Sequence, residues 1–448
     1  MMIYEHIGLQ VPKILLPKKG VDMQRWAVIA CDQHTSDRDY WRHLDEQIGM
    51  APSTLRMILP EVYLEDADVE ERIRAINRTM ETYLEQGVLE EQPPGLILVN
   101  RRTSAVPSRK GLMVALDLER YDYRPGSQSL IRATEGTIIE RLPPRIRVRE
   151  DAPIELPHIM VLIDDPQCTV IEPLFEEKLE KLYDVELLCK GGHLKGYRVD
   201  QPELLDQVAN ALEKLADPQS YRTRYNVEGE VMLYAMGDGN HSFATAKAIW
   251  EKLKEEAGDP QQVMDHPARF ALVELVNVHD PGLEFEAIHR VLFNVDSEAL
   301  KQQMDEFFAR RDTPVTISQC EDLKAAKACI DEAQAEHAFV MVVAGKFFTC
   351  DIADPELTLE VASLQAFLDD FLARNSQVRI DYIHGEHEVT SLGSQEHSAG
   401  FFLPSISKHD LFRTIVLDGA LPRKTFSMGE ADEKRFYLEC RRIKADTA

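Results

Sequence analysis

Residues 231–256, VMLYAMGDGNHSFATAKAIWEKLKEE, contain the pattern that decides the fold, an apolar run that leads through a glycine-rich turn into a helix. The run at 231–235 is short and apolar, which is typical of a buried strand, whereas 243–256 has the apolar spacing of a helix. Gly237 and Gly239 permit a tight turn between the two. A strand that runs directly into a helix predicts an α/β unit at this point of the chain.

The same alternation of strands and helices continues in both directions from this unit. The other predicted strands are 26–31, 95–100, 112–118, 159–163, 270–278 and 338–350. The other predicted helices are 39–47, 67–84, 171–183, 202–216, 297–310, 321–335 and 358–373. We therefore predict a mixed α/β (α+β) fold, with mixed sheets and flanking helices in two lobes around a cleft.

The domain boundary is predicted where this alternation first weakens, in the segment ADPQSYRTRYNVEGE at 216–230. A length of 448 residues corresponds to two or three domains of ordinary size. The prediction is an N-terminal α/β lobe, residues 1–225, and a C-terminal α/β lobe, residues 226–448, which carries the glycine-rich turn.

The composition limits the classes of function. The chain has 51 basic and 77 acidic residues, a net charge of −26, so its surface repels phosphate backbones and nucleic acid is not an expected partner. No apolar run reaches the roughly 20 residues that a membrane helix needs, so no membrane partner is expected. The N-terminal residues lack the pattern of a signal peptide. A cytoplasmic location is therefore predicted.

Cysteine and histidine spacing gives no support for a metal or haem centre. The seven cysteines are scattered and none forms a CxxC pair, which favours small buried thiols in a reducing compartment. His384 and His387 have a spacing that suits a metal, but no third ligand accompanies them. Neither zinc nor haem is expected.

The turn 237–242, GDGNHS, is the first candidate site. A helix start offers free backbone N–H groups and the positive end of the helix dipole, which together bind phosphate or carboxylate. Asp238 could hold a metal ion or a hydroxyl group, and His241 could donate to a phosphate oxygen. The alternative is a plain helix start, with Asn240 or Ser242 as the N-cap residue.

The segment 129–145, SLIRATEGTIIERLPPR, is the second candidate. Arg132 and Arg141 belong to a group of arginines of the kind that captures phosphate or carboxylate oxygens. Glu135, which precedes a glycine, is a candidate general base or metal ligand. The alternative is a surface loop with ordinary ion pairs.

Other polar residues stand at the ends of predicted elements. Asp32 and His34 follow the strand at 26–31, at the carboxyl end where α/β proteins bind ligands, although a capped turn would explain them as well. Arg423 and Lys424 in LPRKTFS (421–427) would, taken alone, form a solvated turn.

The chain resembles the bacterial family of proteins of unknown function DUF1015 over nearly its whole length. The similarity is carried by WAVIACDQHTSDRDYW, APSTLRMILPEVYL, SLIRATEGTIIERLPPR, MGDGNHSFATAKAIW, AIHRVL, DYIHG and LPRKTF. Family members show an HExT-type motif at 133–137, DGHHRYxTA at 238–246 and PxKST at 422–425. The DGHHR motif is in turn similar to the phosphate-binding motif of the ParB/sulfiredoxin-like superfamily, which implies that one lobe has that fold.

Three residues depart from these motifs. Asn240 replaces the first histidine of DGHHR, Ser242 replaces the arginine that would bind phosphate, and Thr134 stands where the family has the histidine before Glu135. The loss of a cationic phosphate ligand would weaken binding, change the substrate or abolish activity.

The resemblance implies a phosphotransferase or phosphatase that acts on a small amino-acid-like metabolite of the serine or phosphoserine class. Glu135, Asp238 and His241 are the implied catalytic residues, Asp238 would hold magnesium, and ATP or ADP is the implied cofactor. The implied substrate- and phosphate-binding residues are Arg132, Thr134, Thr137, Arg141, Gly237, Gly239, Asn240, Ser242, His289, Arg290, Arg423, Lys424, Asp32 and His34.

The departures leave a second hypothesis open, a catalytically inactive protein that binds a nucleotide or metabolite and acts as a regulator. Both hypotheses imply a phosphorylated small molecule or a nucleotide as partner. Both also predict that 131–141, 237–242 and 423–425 converge on one pocket, with 237–242 at a strand-to-helix junction.

Overall fold

The computed structural model describes residues 2–124, 126–139, 142–332, 336–429 and 433–445. The strands are β1 Ile3–Tyr4, β2 Leu9–Gln10, β3 Leu15–Pro17, β4 Val28–Ile29, β5 Leu89–Glu91, β6 Leu96–Arg102, β7 Arg109–Asp117, β8 Tyr121–Asp122, β9 Ile131–Arg132, β10 Ile154–Glu155, β11 Met160–Ile163, β12 Lys181–Glu186, β13 His193–Val199, β14 Tyr234–Asp238, β15 Phe270–Asn277, β16 Phe285–Ala287, β17 His289–Phe293, β18 Val315–Cys320, β19 His337–Val343, β20 Lys346–Ile352, β21 Arg379–Ile383, β22 Ser398–Phe402, β23 Phe426–Met428, β24 Phe436–Tyr437 and β25 Arg441–Arg442.

Twelve α-helices accompany these strands in the described residues. They are α1 Met23–Trp26, α2 Arg38–Ile48, α3 Val69–Glu85, α4 Leu142–Arg149, α5 Pro202–Leu215, α6 Pro218–Tyr225, α7 Asn240–Ala257, α8 Ser297–Ala309, α9 Leu323–Glu332, α10 Glu360–Arg374, α11 Glu386–Gly393 and α12 Lys408–Asp418. The predicted mixed α/β class is confirmed.

The chain divides into two compact units, which differ from the predicted lobes. The first unit consists of Met1–Glu284 with Met428–Ala448, and the second is Phe285–Ser427. The boundary expected near residue 225 falls inside the first unit, because β14 pairs with β11 and β9 in the main sheet of that unit. Local weakening of the helix and strand pattern at 216–230 did not reveal these long-range strand pairs.

The first unit is built on a mixed sheet with the order β12-β13-β6-β7-β15-β11-β14-β9-β8, and β2 also pairs with β7. The pairs β11–β15, β14–β9 and β8–β9 are parallel. Both faces of β6 are buried, which explains its continuous apolar sequence. Leu96 and Leu98 join one core, and Ile97 and Val99 join the core on the opposite face.

The second unit has an antiparallel sheet with the order β18-β20-β19-β22-β17-β21. The strand predicted at 338–350 is a hairpin, β19 and β20, because Ala344 and Gly345 turn the chain with φ angles of 50° and 71°. Val340, Val342 and Val389 pack in its core. In the part of the chain that is described, no helix combines the length and apolar character that crossing a bilayer requires.

The helix predicted at 171–183 is wrong. Residues Glu172–Glu176 form a short 3-10 helix, and the residues that follow lead into β12. The Glu, Lys and Leu content of this segment favours a helix locally, but pairing with β13 overrides that preference. Tyr183 and Val185 alternate with exposed residues and are both buried, which is the period of a strand.

Candidate functional site

The junction between β14 and α7 is the centre of the candidate site. Gly239 occupies the N-cap position with φ of 80°, and no side chain caps the helix. A Cβ atom at Gly239 would lie 3.1 Å from Ile159, so space and backbone conformation both favour glycine. The alternative of Asn240 or Ser242 as N-cap is therefore wrong, and the backbone N–H groups of the first helical turn have no side-chain cap.

Asp238, the last residue of β14, forms an ion pair beside this helix start. Its Oδ1 accepts from the Gly239 N–H at 2.9 Å, and its Oδ2 lies 3.2 Å from Nζ of Lys434. Burial raises the pKa of Asp238, but Lys434 and then His158 lower it further, so the net pKa lies below its ordinary value. The carboxylate is therefore ionised at neutral pH, and its negative charge is matched by the positive charge of Lys434 next to the helix.

His158 and Ser242 lie on the other side of the helix start. Nε2 of His158 is 3.0 Å from Oγ of Ser242 and 3.7 Å from Oδ2 of Asp32, and its Nδ1 is 2.7 Å from the Tyr437 hydroxyl. In a Ser-His-Asp hydrolase the carboxylate bonds the ring nitrogen opposite the serine, whereas here both approach the same nitrogen. We call Asp238, Lys434, His158 and Ser242 the helix-start cluster.

The segment 131–138 lies against the same turn. β9 runs parallel to β14. Nε2 of His241 accepts from the Ile138 N–H at 3.4 Å, and the Asn240 amide donates to the Thr134 hydroxyl at 3.5 Å. The structure thus brings together two of the three segments predicted to converge. Glu135 is half-buried and stands in the chain between Thr134 and Ile138, which make these contacts. Thr137 belongs to the same segment, and Arg141 lies outside the described residues.

Arg132 and His34 have structural contacts away from the helix-start cluster. The Arg132 guanidinium is buried and donates to the carbonyl oxygens of Ser129 at 2.9 Å and Glu230 at 2.6 Å. Burial lowers the pKa of Arg132. These bonds join two chain segments and leave the guanidinium shielded from a ligand. The His34 ring stacks on Tyr40 at 3.7 Å.

The remaining predicted residues belong to the second unit. Nδ1 of His289 accepts from the Leu403 N–H at 3.2 Å, and burial lowers the pKa of His289 to about 4, so it is neutral at pH 7. Arg290 is buried and donates to the carbonyl oxygen of Arg423 at 3.2 Å. Lys424 has a left-handed backbone, with φ of 57°. Convergence of 423–425 with the other two segments stays a prediction.

A cavity of about 130 Å³ adjoins Ser242 and His158. Its other polar lining includes Glu61 and Arg145, which form an ion pair, and the Cys31 thiol. Burial, and then Asp32, raises the pKa of Cys31 to about 12, so this thiol is not a nucleophile.

Sequence reasoning had singled out Asp32 but not His158, Lys434 or Tyr437. His158 is an isolated polar residue in its local sequence, and Lys434 and Tyr437 lie in the ordinary charged and aromatic stretch EKRFY at 433–437. Only the tertiary fold brings these residues to the turn. No spacing pattern connects 158 or 434–437 with residues 237–242.

The donor set of the site does not match a preformed metal centre. Both oxygens of Asp238 have partners, Gly239 N–H and Lys434. Within the described ranges, no group of three or more His, Cys, Asp or Glu side chains is arranged to hold a metal ion.

Comparison with known proteins gives one family match. The model of the family described as "Protein of unknown function (DUF1015)" matches residues 15–371. No curated protein matches the chain.

Three solved structures share similarity at 10–12% sequence identity. A mutant free serine kinase in complex with AMP has 12% identity and a TM-score of 0.38, covering 74% of this chain and 91% of its own. A conserved hypothetical protein from Pyrococcus furiosus has 12% identity and a TM-score of 0.35, covering 74% and 95%. SbnI from Staphylococcus aureus, truncated at its C-terminus, has 10% identity and a TM-score of 0.34, covering 71% and 82%.

Proposed function

We propose that this chain, which belongs to the DUF1015 family, is a phosphotransferase or phosphatase that acts on a small amino-acid-like metabolite of the serine or phosphoserine class. The observation that carries the proposal is the start of α7, where no side chain caps the helix and Lys434 lies beside it. The resemblance of 238–246 to a phosphate-binding motif supports the same assignment.

The helix start has the physical properties that a phosphate site needs. The N–H groups, which no side chain caps, donate to phosphate oxygens, and the helix dipole adds a partial positive charge. Lys434 offers an ammonium group within 3.2 Å of Asp238, with its side chain 15% exposed, so a ligand can reach it. Phosphoryl transfer depends mainly on such positioning and charge neutralisation.

In the transferase direction, the substrate hydroxyl oxygen forms a bond to the γ-phosphorus of ATP while the bond from that phosphorus to the ADP oxygen breaks. Glu135, which lies beside the turn, accepts the hydroxyl proton. In the phosphatase direction, a water oxygen forms a bond to the phosphorus of the phosphorylated amino acid while the bond from that phosphorus to the side-chain oxygen breaks. Glu135 accepts the proton of the water, and the side-chain oxygen takes up a proton as it leaves. His241 keeps 131–138 against α7 through its bond to the Ile138 N–H.

Magnesium is the usual companion of ATP and is held by one or two carboxylates together with phosphate oxygens. Asp238 is the candidate ligand, but its bond to Lys434 would have to be exchanged for the metal. The residues therefore do not form a ready magnesium site, and the steps above use only side chains of this chain and the nucleotide.

The second candidate is a nucleotide- or metabolite-binding regulator without turnover. Ser242 favours it, because this residue replaces the phosphate-binding arginine of the family motif and its hydroxyl is bonded to His158. A helix start that lacks the motif arginine binds phosphate with less charge neutralisation than phosphoryl transfer normally uses.

The test combines binding and turnover on the full chain. Calorimetric titration with ADP, ATP and O-phosphoserine measures binding, and consumption of ATP with serine or release of phosphate from phosphoserine measures turnover. Binding with turnover supports the transferase or phosphatase, whereas binding alone supports the regulator. Absence of binding to all three compounds would contradict both.

A lysine variant locates the site. Lys434→Met should weaken binding of ADP or phosphoserine by about tenfold or more, because a hydrogen bond to a charged group contributes about 1.5–3 kcal/mol. Lys252→Met is the matched control, since Lys252 lies on α7 but is 55% exposed and pairs with Glu150 away from the helix start. Equal effects of the two variants on ligand affinity would show that Lys434 does not belong to the binding site.

A further inference from the structure

Ser242 and His158 form a hydroxyl–imidazole pair that the proposed phosphoryl transfer does not use. Nε2 of His158 lies 3.0 Å from Oγ of Ser242, which is a normal hydrogen-bond length. The His158 side chain is buried, whereas Ser242 is half-buried. A hydroxyl group bonded to a histidine nitrogen is the arrangement that activates a serine nucleophile.

Tyr437 holds the other ring nitrogen of His158 and decides which nitrogen carries the proton. The Tyr437 oxygen lies 2.7 Å from Nδ1 and also accepts from the Cys31 N–H at 3.2 Å. Its single proton is directed to Sγ of Cys31 at 3.1 Å. The ring proton is therefore assigned to Nδ1, which donates to Tyr437. Nε2 then has the lone pair that accepts the Ser242 proton.

Asp32 and Tyr437 share the work that one carboxylate does in a Ser-His-Asp triad. Tyr437 orients the ring at Nδ1, the nitrogen opposite the serine. Oδ2 of Asp32 is 3.7 Å from Nε2, too far for a hydrogen bond. Its negative charge still attracts the imidazolium that forms when the ring accepts a proton.

The place of Ser242 in the fold adds donors for charge that develops on a reacting carbonyl oxygen. Ser242 is the third residue of α7, and no side chain caps the start of this helix. Backbone N–H groups of this kind are common donors of an oxyanion hole, and the helix dipole acts in the same sense.

The cavity beside this pair limits the size of the group that Ser242 can receive. Its lining includes both Ser242 and His158. The apolar residues of its wall include Met57, Leu59, Met80, Ile154, Leu156 and Ile159. An apolar cavity of about 150 Å³ holds benzene, so about 130 Å³ accommodates about five or six heavy atoms. A butyryl group has five heavy atoms and fits this space, whereas an octanoyl group has nine and does not.

We propose that the chain has a second activity, the hydrolysis of esters of short-chain carboxylic acids, with Ser242 as nucleophile and His158 as general base. Oγ of Ser242 forms a bond to the ester carbonyl carbon while Nε2 of His158 takes the hydroxyl proton. The bond from that carbon to the alcohol oxygen then breaks, and this oxygen receives the proton from Nε2. Water attacks the acyl carbon in the same way, His158 passes the water proton to Oγ, and the carboxylic acid leaves.

The experiment measures hydrolysis of 4-nitrophenyl acetate, butyrate and octanoate by the full chain without nucleotide. The acetate and butyrate should have values of kcat/KM about tenfold or more above that of the octanoate, because only short acyl groups fit the cavity. Equal values for the three esters would overturn the assignment of the acyl group to the cavity. Hydrolysis no faster than that by Ser242→Ala would overturn the activity.

Variants assign the two roles. Ser242→Ala and His158→Gln should each lower kcat/KM for the butyrate about a hundredfold or more. Their matched controls are Ser220→Ala and His43→Gln, which change an exposed serine of α6 and an exposed histidine of α2 and should leave hydrolysis unchanged. Tyr437→Phe should lower kcat and leave KM nearly unchanged, because Tyr437 is a positioning residue that acts through the ring of His158. Near-normal hydrolysis by folded Ser242→Ala would overturn the proposal.

A covalent reagent tests the nucleophile in the chain without substitution. Diisopropyl fluorophosphate should form a bond from its phosphorus to Oγ of Ser242 as fluoride leaves, and peptide mass spectrometry identifies the labelled residue. Circular dichroism verifies that the variants are folded, and this labelling serves as the test if Ser242→Ala does not fold. Labelling that does not reach Ser242 would overturn its role as nucleophile.

The same samples separate this activity from the proposed phosphoryl transfer. Ester hydrolysis by a chain that binds neither ADP nor O-phosphoserine contradicts the phosphoryl transfer and keeps the assignment of Ser242. Turnover of ATP or phosphoserine without ester hydrolysis does the opposite.

Discussion

Lys434 and Arg435 are neighbours in the sequence, but their side chains enter two different polar clusters of the first unit. Lys434 reaches Asp238 in the helix-start cluster, where the two side chains are 15% and 29% exposed. Arg435 lies in what we call the arginine network, formed by Arg435, Glu274, Glu439 and Tyr183, where the three charged side chains are at most 3% exposed.

The difference between the clusters lies in how completely each charge is matched. Arg435 donates to Glu274, to Glu439 at 2.5 Å and to the Pro157 carbonyl at 3.1 Å, so its charge is satisfied by the protein without water. The helix-start cluster instead contains backbone N–H groups that no side chain caps and an ammonium group whose side chain is 15% exposed. The network is therefore suited to hold the C-terminal segment in place, and the cluster is suited to bind a ligand.

The largest effect on stability is expected from a substitution in the arginine network. Arg435→Met leaves two buried carboxylates without their main partner and should lower the free energy of unfolding by about 3–5 kcal/mol. Arg442→Met, which changes an arginine that is 43% exposed, should alter it by only about 0.5 kcal/mol. Urea unfolding followed by circular dichroism measures both. A loss below about 1 kcal/mol in Arg435→Met would contradict the structural role of the network.

The next effect is on turnover and concerns Glu135. Glu135→Gln keeps the shape of the side chain but removes the charge of the proposed base, so turnover should fall about a hundredfold or more. Ligand affinity should change much less, and stability by only about 0.5 kcal/mol. Initial rates of ATP consumption measure the effect, with Glu255→Gln, an exposed residue of α7, as the control. Near-normal turnover would exclude the catalytic role, and strong destabilisation would indicate a buried structural contact.

A smaller effect is expected at the hydroxyl of Tyr437, which borders the helix-start cluster. Tyr437→Phe removes the group that contacts His158 and accepts from the Cys31 N–H, so stability should fall by about 1–2 kcal/mol. Tyr234→Phe is the matched control, because this buried hydroxyl makes no hydrogen bond to the described residues and its loss should cost almost nothing. Thermal unfolding of the two variants measures this difference in stability. Equal losses of stability would show that the hydrogen bonds of the Tyr437 hydroxyl are not its cause.

The smallest expected effect is a change in how the free energy of unfolding depends on pH. Burial raises the pKa of Glu274, but Arg435 and then Arg109 lower it further, so its net value lies below the ordinary 4.5. A lowered carboxyl pKa stabilises the fold above about pH 4.5, and this contribution is lost as the pH falls through the folded-state value. The stability gap between wild type and Arg435→Met should therefore narrow as the pH falls below about 4.5, by at most about 1.4 kcal/mol per pH unit. A constant gap would contradict the pairing.

The strand-to-helix unit at 231–256 could be predicted because its signals are local. The structure has a strand at Tyr234–Asp238 and a helix at Asn240–Ala257, close to the predicted 231–235 and 243–256. The helices at 39–47, 67–84 and 202–216 are confirmed as Arg38–Ile48, Val69–Glu85 and Pro202–Leu215 for the same reason.

The remainder of the site depends on pairings that local patterns do not contain. His158 and Lys434 each reach the turn from a distant segment, and the sequence around them indicates only an ordinary polar residue. Arg132 shows the opposite error, since a local composition rich in arginine suggested an anion site. Its guanidinium is instead buried and donates to two carbonyl oxygens, so its role is structural.

The return of the chain to the first unit at residue 428 has a consequence for the order of synthesis. Residues 428–448 complete the first unit, and they are translated only after the whole of Phe285–Ser427. Until they leave the ribosome, Asp238 lacks Lys434 and Glu274 lacks Arg435. The ribosome-bound first unit should therefore be sensitive to proteases, and it should become resistant only when residues 428–448 are added.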